Sequence, residues 1–178
     1  MQNFPKPAPS HQWLQLDERL SLQLSCAARI HCLRTLFRAL SGLGDGVFWY
    51  ALMLALLATD GTAAIAPVLH MVAAGLAGTM LYRWLKATIS RPRPYQVNEA
   101  ITCNARPLDQ FSFPSGHTLH AVAFSTIAIA YYPQLAFLLI SFAFLVTLSR
   151  MVLGLHYPSD VLAGAAIGAA IASISFVR

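Results

Sequence analysis

Ile65 to Leu85 reads IAPVLHMVAAGLAGTMLYRWL, 21 residues in which Arg83 is the only side chain charged at neutral pH. A helix rises about 1.5 Å per residue and the hydrocarbon core of a bilayer is about 30 Å thick, so the stretch predicts a membrane-crossing helix. It has company on both sides. Val47 to Thr59 precedes it across the Asp60-Gly61 turn and reads as a shorter membrane helix, while His117–Tyr132, Pro133–Leu153 and Asp160–Val177 follow as further apolar segments. Of the 178 residues, 57% are apolar and 11% charged, against about 25% charged in soluble chains, and mean hydropathy is +0.57. The expected fold is all-α: a polytopic membrane helix bundle with five spans plus one amphipathic N-terminal helix, six helices in all. Gly164 and Gly168, four apart in the Ala/Gly-rich last segment, predict a face for close helix packing.

Residues 1–16 read as a mobile leader without a signal-peptide pattern, and residues 17–178 as a single membrane-embedded domain. From Asp17 to about Leu40 the pattern is helical, with Ile30, Leu33, Phe37 and Leu40 on one stripe and His31, Arg34, Arg38 and Ser41 on the other. Such a helix suits the headgroup region or the surface of the same domain. Ser41 to Gly46 should break it. Cys26, Cys32 and Cys103 have no metal-like spacing and read as apolar fillers. The net charge of +5 is scattered rather than gathered into a strip, which excludes nucleic acid as the expected partner. It fits membrane lipids and an anionic substrate.

Lys86 to Ser115 is the one long polar loop, because Arg91-Pro92-Arg93-Pro94 cannot continue a helix. If the helix before it ends at Leu85, then the loop, the start of the third span and the connection from 149 to 160 share one membrane face. Three polar clusters meet there: Lys86 with Arg93-Pro94; Pro114-Ser115-Gly116-His117; and Ser149-Arg150 with His156 and Asp160. Ionisable groups near membrane depth are costly, and an anion explains them. Lys86, Arg93 and Arg150 suit a doubly charged tetrahedral ligand, although each alone would read as a snorkelling or loop cation. Ser115 stands at a helix N-cap, where the amides of Gly116 and His117 favour phosphate and the Ser115 hydroxyl adds a donor. His156 and Asp160 are four apart, so the carboxylate can hold one imidazole nitrogen protonated and leave the other to attack phosphorus. His117 is suited to protonate the leaving oxygen. Alone, His117 would read as a cap histidine and Asp160 as an N-cap.

In order and spacing these clusters resemble the signature of the type 2 phosphatidate phosphatase superfamily: lysine, six residues, Arg-Pro; Pro-Ser-Gly-His; then Ser-Arg, five residues, histidine, three residues, aspartate. Every position matches between 86 and 160. The resemblance implies a six-helix fold, a phosphohistidine at His156, a phosphate cage of Lys86, Arg93, Ser115, Gly116 and Arg150, acid catalysis by His117, and no metal or other cofactor. It implies an integral membrane lipid phosphatase acting on a lipid phosphate, with undecaprenyl diphosphate favoured over phosphatidylglycerol phosphate, phosphatidate or a lipid A phosphate. A vanadate haloperoxidase shares the cage but is soluble and far larger; a silent lipid-binding relative would not need both histidines and Asp160.

His120, one turn after His117, reads as lining the mouth or as packing. Asp45 reads as touching substrate or, more simply, as a cap; His70 as helix packing; Phe111 and Phe113 as part of a lipid access route or as a hydrophobic staple. The expected location is the inner membrane, multi-pass. Of the 12 Lys and Arg residues, all but Arg178 fall on the motif side if residues 1–46 do too, which leans cytoplasmic, whereas the family resemblance admits a periplasmic site.

Overall fold

Ser90 takes a left-handed conformation (φ 48°) and ends the long helix that carries the clearest apolar stretch. That helix, α4 (Ile65–Ile89), runs one turn beyond the expected end at Leu85, because Lys86-Ala-Thr-Ile still favours helix and only the proline-rich loop forbids it. The computed structural model describes residues 9–177, with side chains from 13 onward. Before α4 come α1 (Pro9–Ser25), α2 (His31–Gly42) and α3 (Phe48–Asp60). After it come the short α5 (Pro94–Val97), then α6 (Gly116–Tyr131), α7 (Ala136–Val152) and α8 (Pro158–Ser175). Among the described residues there is no β-strand.

Four sequence expectations change here. The helix begins at Pro9, not Asp17, so the expected leader is helical over its last eight positions, and 1–8 lie outside the described residues. The single amphipathic helix is two, because Ile30 is extended (ψ 116°) between a 3₁₀ turn at Cys26–Arg29 and α2. The break placed at Ser41–Gly46 is narrower: α2 passes through one wide turn, Leu43–Val47, and bends only at Gly46, whose φ of 127° favours glycine. The three cysteines, read as apolar fillers, are exposed.

The centre of the bundle is α6, which packs on α4 and α7 and most extensively on α8. Its 16 residues cover only about 24 Å, and its neighbours enclose it. Helical stretches long and apolar enough to cross a bilayer are His31–Val97, which contains α3 and α4, then Pro133–Val152 and Pro158–Ser175. Gly164 and Gly168 let α8 press against the backbone of α6. A Cβ on Gly164 would stand 2.5 Å from Ser115 O, and one on Gly168 would collide with Leu119 O. Within the core, Phe48 stacks on Phe142 with centroids 3.7 Å apart, and Trp49 packs against Phe124 and Phe142. Outward, Leu69, Leu76, Met80, Trp84, Phe137, Phe144 and Leu162 are exposed on α4, α7 and α8. So large an apolar surface is tolerable only in lipid.

The N-terminal pair α1 and α2 packs on the motif end of α7, with Ala28 and Phe37 against Val152, Leu153 and Leu155. This places the amphipathic segment over the loops that carry the polar clusters.

Candidate active site

Five separate elements deliver the polar clusters to one end of the bundle. Lys86 lies in the last turn of α4, Arg93 caps α5, Gly116 and His117 open α6, Arg150 closes α7, and His156 sits in the turn before α8. All six line a single cavity of about 320 Å³. The same cavity continues past Trp49, Met53 and Phe124 to the exposed side chains of Val72 and Leu76 on α4, so it is cationic at one end and apolar at the other.

His156 is almost wholly enclosed, with Nε2 3.4 Å from Arg93 Nη1 and Nδ1 3.7 Å from Asp160 Oδ2. Burial first, then the charges of Arg150, Arg93 and Lys86, hold its imidazolium well below the ordinary histidine range. The ring is therefore neutral, as a nucleophile must be. Nδ1 is buried without a hydrogen-bond partner, and its 3.7 Å gap to Asp160 is longer than the expected contact. Such bonds commonly tighten only with substrate. Asp160 is held from two sides: Oδ2 accepts from the Tyr157 amide at 2.8 Å and Oδ1 from Arg91 at 2.7 Å. It is the third residue of α8 in a capping box rather than the N-cap itself.

Ser115 departs from expectation. It is fully buried, its hydroxyl lies 3.0 Å from Thr118 Oγ1, its amide donates to Asp160 O, and it does not line the cavity. The amide end of α6 and Gly116 do face it. Arg150 is buried, donates to Ser41 Oγ, and keeps Nε without a partner.

Three acidic or basic residues enter that the motif spacing did not single out. Asp45, read more simply as a cap, makes no cap bond; its Oδ1 lies 3.5 Å from His117 Nε2, and burial raises its carboxyl above the usual range against the pull of Arg150. Arg91, read only as part of a helix-breaking run, bridges Asp160 to Asp17 of α1 at 2.7 Å each and lies over the Tyr157 ring at 3.9 Å. Asp109 binds Lys86 at 2.7 and 2.8 Å and Arg93 at 2.7 Å. The available signal for Asp109 was that it is one of only two acidic residues, with Glu99, in a basic loop whose cations need a counter-charge. His120 lines the cavity while bonding Gly116 O at 2.9 Å and Thr79 at 3.1 Å. His70 ties Tyr131 to Ser175, the packing role expected of it. Phe113 lines a separate surface groove with Trp13, Leu14 and Ile89 and does not line the main cavity. Among the described residues no group of three or more His, Cys, Asp or Glu converges as a metal ion would require.

The PAP2 superfamily profile matches residues 64–178. The lipid A 1-phosphatase of Rhizobium johnstonii is 34% identical over 94 residues, 51% of this chain and 38% of that protein. The undecaprenyl-diphosphatase BcrC of Bacillus subtilis is 32% identical over 111 residues, 62% of this chain and 56% of that one. The chain thus spans about half the length, or less, of these curated relatives. Among solved structures, Aquifex aeolicus LpxE is similar with a TM-score of 0.75 at 29% identity, over 91% of this chain and 93% of that one. The transmembrane PAP2 type phosphatidylglycerolphosphate phosphatase of Bacillus subtilis shares the fold, with a TM-score of 0.70 at 24% identity over 94% and 85%. Since the matched region covers well over half the chain and contains every motif position from Lys86 to Asp160, the chain belongs to the PAP2 superfamily.

Proposed function

We propose that the chain is an integral membrane lipid phosphatase that hydrolyses a terminal phosphate of a lipid, undecaprenyl diphosphate being the favoured substrate, through a phosphohistidine on His156. The observation that carries this reading is the two-ended cavity: Lys86, Arg93 and Arg150 at one end suit a phosphoryl group, and Trp49, Met53, Val72 and Leu76 at the other suit an acyl or prenyl chain. In the first step Nε2 of His156 attacks phosphorus, the bond to the leaving oxygen breaks, and His117 gives that oxygen its proton. In the second, water loses a proton to His117, attacks the phosphohistidine and releases phosphate. The three cations and the amide end of α6 offset charge on the phosphoryl oxygens throughout. Asp160 and Arg91 orient His156 from behind.

The likeness to BcrC, an undecaprenyl-diphosphatase, supports the favoured substrate. A lipid A phosphate is the second reading, supported by the likeness to the Rhizobium lipid A 1-phosphatase.

The test is phosphate release by the purified chain in detergent from undecaprenyl diphosphate, lipid A, phosphatidylglycerol phosphate and phosphatidate, with excess EDTA. Release with EDTA present, abolished in His156→Ala while the helical circular dichroism is kept, is the expected result. Activity appearing only with added Mg²⁺, or wild-type rates in that variant, would overturn it.

A further inference from the structure

The donors that the proposed reaction needs are already engaged by one side chain of the chain itself. Lys86 Nζ binds both oxygens of Asp109, at 2.7 and 2.8 Å, and its third bond goes to Phe111 O at 3.0 Å. Arg93 gives Nη2 to the same carboxylate at 2.7 Å, Nε to the Asp109 carbonyl at 3.2 Å and Nη1 to Leu155 O at 2.7 Å. Two of the three cage cations are therefore committed, mostly to Asp109. A phosphoryl group on His156 Nε2 would lie beside the Arg93 guanidinium, whose Nη1 is 3.4 Å from that nitrogen and bonds Leu155 O, so the donors it must take from Asp109 are Arg93 Nη2 and Lys86 Nζ. Asp109 reaches them from the segment between α5 and α6, which is neither helix nor strand over 98–113, so it can leave without breaking an element. Its side chain is 36% exposed and lines the same cavity as the cations it binds.

We propose that Asp109 is a specificity-determining residue: its carboxylate occupies the phosphate cage and yields to a terminal phosphoryl group but not to a phosphodiester headgroup. The inference rests on the phosphatase reading above. A site with three unshielded cations at a membrane face would fill with phosphodiester lipids, which far outnumber lipids ending in a phosphate. A phosphodiester brings one charge and two free oxygens, the same as a carboxylate, so the exchange gains nothing. A terminal phosphate brings up to two charges and three free oxygens. The extra oxygen has a donor waiting in Arg150 Nε, which is buried without a partner. Burial alone would raise the Asp109 carboxyl, yet the Lys86 bond and the charges of Lys86 and Arg93 hold it below its ordinary range, so it is ionised and a full competitor.

The experiment measures inhibition of lipid phosphate hydrolysis in mixed micelles by added phosphatidylglycerol, together with direct binding of inorganic phosphate read from tryptophan fluorescence, since Trp49 lines the cavity. For the wild type, an inhibition constant for phosphatidylglycerol about a hundredfold above the substrate KM is expected; parity between them overturns the proposal. In Asp109→Asn and Asp109→Ala, inhibition by phosphatidylglycerol should strengthen about tenfold and phosphate bind more tightly, with Asp109→Glu restoring wild-type discrimination. If Asp109 merely braces Lys86 and Arg93, the uncharged variants bind phosphate more weakly, and that opposite sign, or no change, overturns the proposal. A wild type that releases phosphate from no lipid sinks the phosphatase reading, whereas turnover with unaltered discrimination sinks this inference alone.

Discussion

Arg91 shows what spacing alone conceals at the scale of a residue. Lys86, Arg93, His117, Arg150, His156 and Asp160 were legible because each sits in a motif whose intervals are set by helix ends. Arg91 was visible only as part of a run that stops a helix, because its partners Asp17 and Asp160 are 74 and 69 positions away. It is one-fifth exposed, and it neutralises a carboxylate with no exposure at all in Asp160 and a nearly buried one in Asp17. Removing one member of such a network leaves uncompensated charge, which costs about 3–5 kcal/mol. Arg91→Met should therefore lower the thermal midpoint in detergent markedly and reduce kcat, because Asp160 then takes up a proton and stops orienting His156. His156→Ala should leave the midpoint nearly unchanged. A variant at Arg91 with wild-type stability and rate would show that Asp160 does not depend on it.

Among elements, the helices with long apolar runs were readable to within a few residues, and their ends were not. Hydropathy stops at Leu85, but α4 continues to Ile89 because helix propensity and membrane partition are different quantities. The pattern over 17–40 is periodic on both sides of Ile30, and nothing local forbids a helix there, so the extended residue is set by docking of Ala28 and Phe37 against α7. The glycine pair in α8 was readable, since four-residue spacing of small side chains permits close approach. Gly168→Ala should force α8 from the Leu119 backbone, lowering thermal stability by on the order of 1–3 kcal/mol, the cost typical of overpacking. Gly164→Ala should do the same and also depress activity, because the atom it meets belongs to Ser115, the residue directly before the cavity-lining Gly116 and His117. Gly42→Ala is the control: its φ is −66°, a Cβ there meets nothing within 4 Å, and the change should be neutral or stabilising by about 0.5–1 kcal/mol. Equal losses at positions 42, 164 and 168 would mean that close packing of α6 and α8 is not what these glycines provide.

For the molecule as a whole, the sequence carried the class of fold, and the structure adds how the N-terminal helices relate to the site. Asp17 bonds the Ser159 amide at 3.0 Å, and Arg38 bonds Asn104 O, so α1 and α2 lie on the same side as the motif loops. That was the condition on which the charge count depended: with it, the described basic residues from Arg19 to Arg150 gather at one end, and we propose on the positive-inside rule that this end faces the cytoplasm. The rule counts all cations alike, whereas Lys86, Arg93 and Arg150 are held by the chemistry of the cavity, so orientation needs its own measurement. Cys103 supplies it, being exposed in the segment that also carries Asp109. In a variant with Cys26 and Cys32 replaced by serine, both exposed and so tolerant of the change, Cys103 is the sole thiol. A membrane-impermeant maleimide added to intact cells with a permeable outer envelope should leave it unlabelled, and lysis should expose it, if the site faces the cytoplasm. Labelling before lysis would place the cavity on the outer side and would show that the cations serve the phosphate rather than orientation.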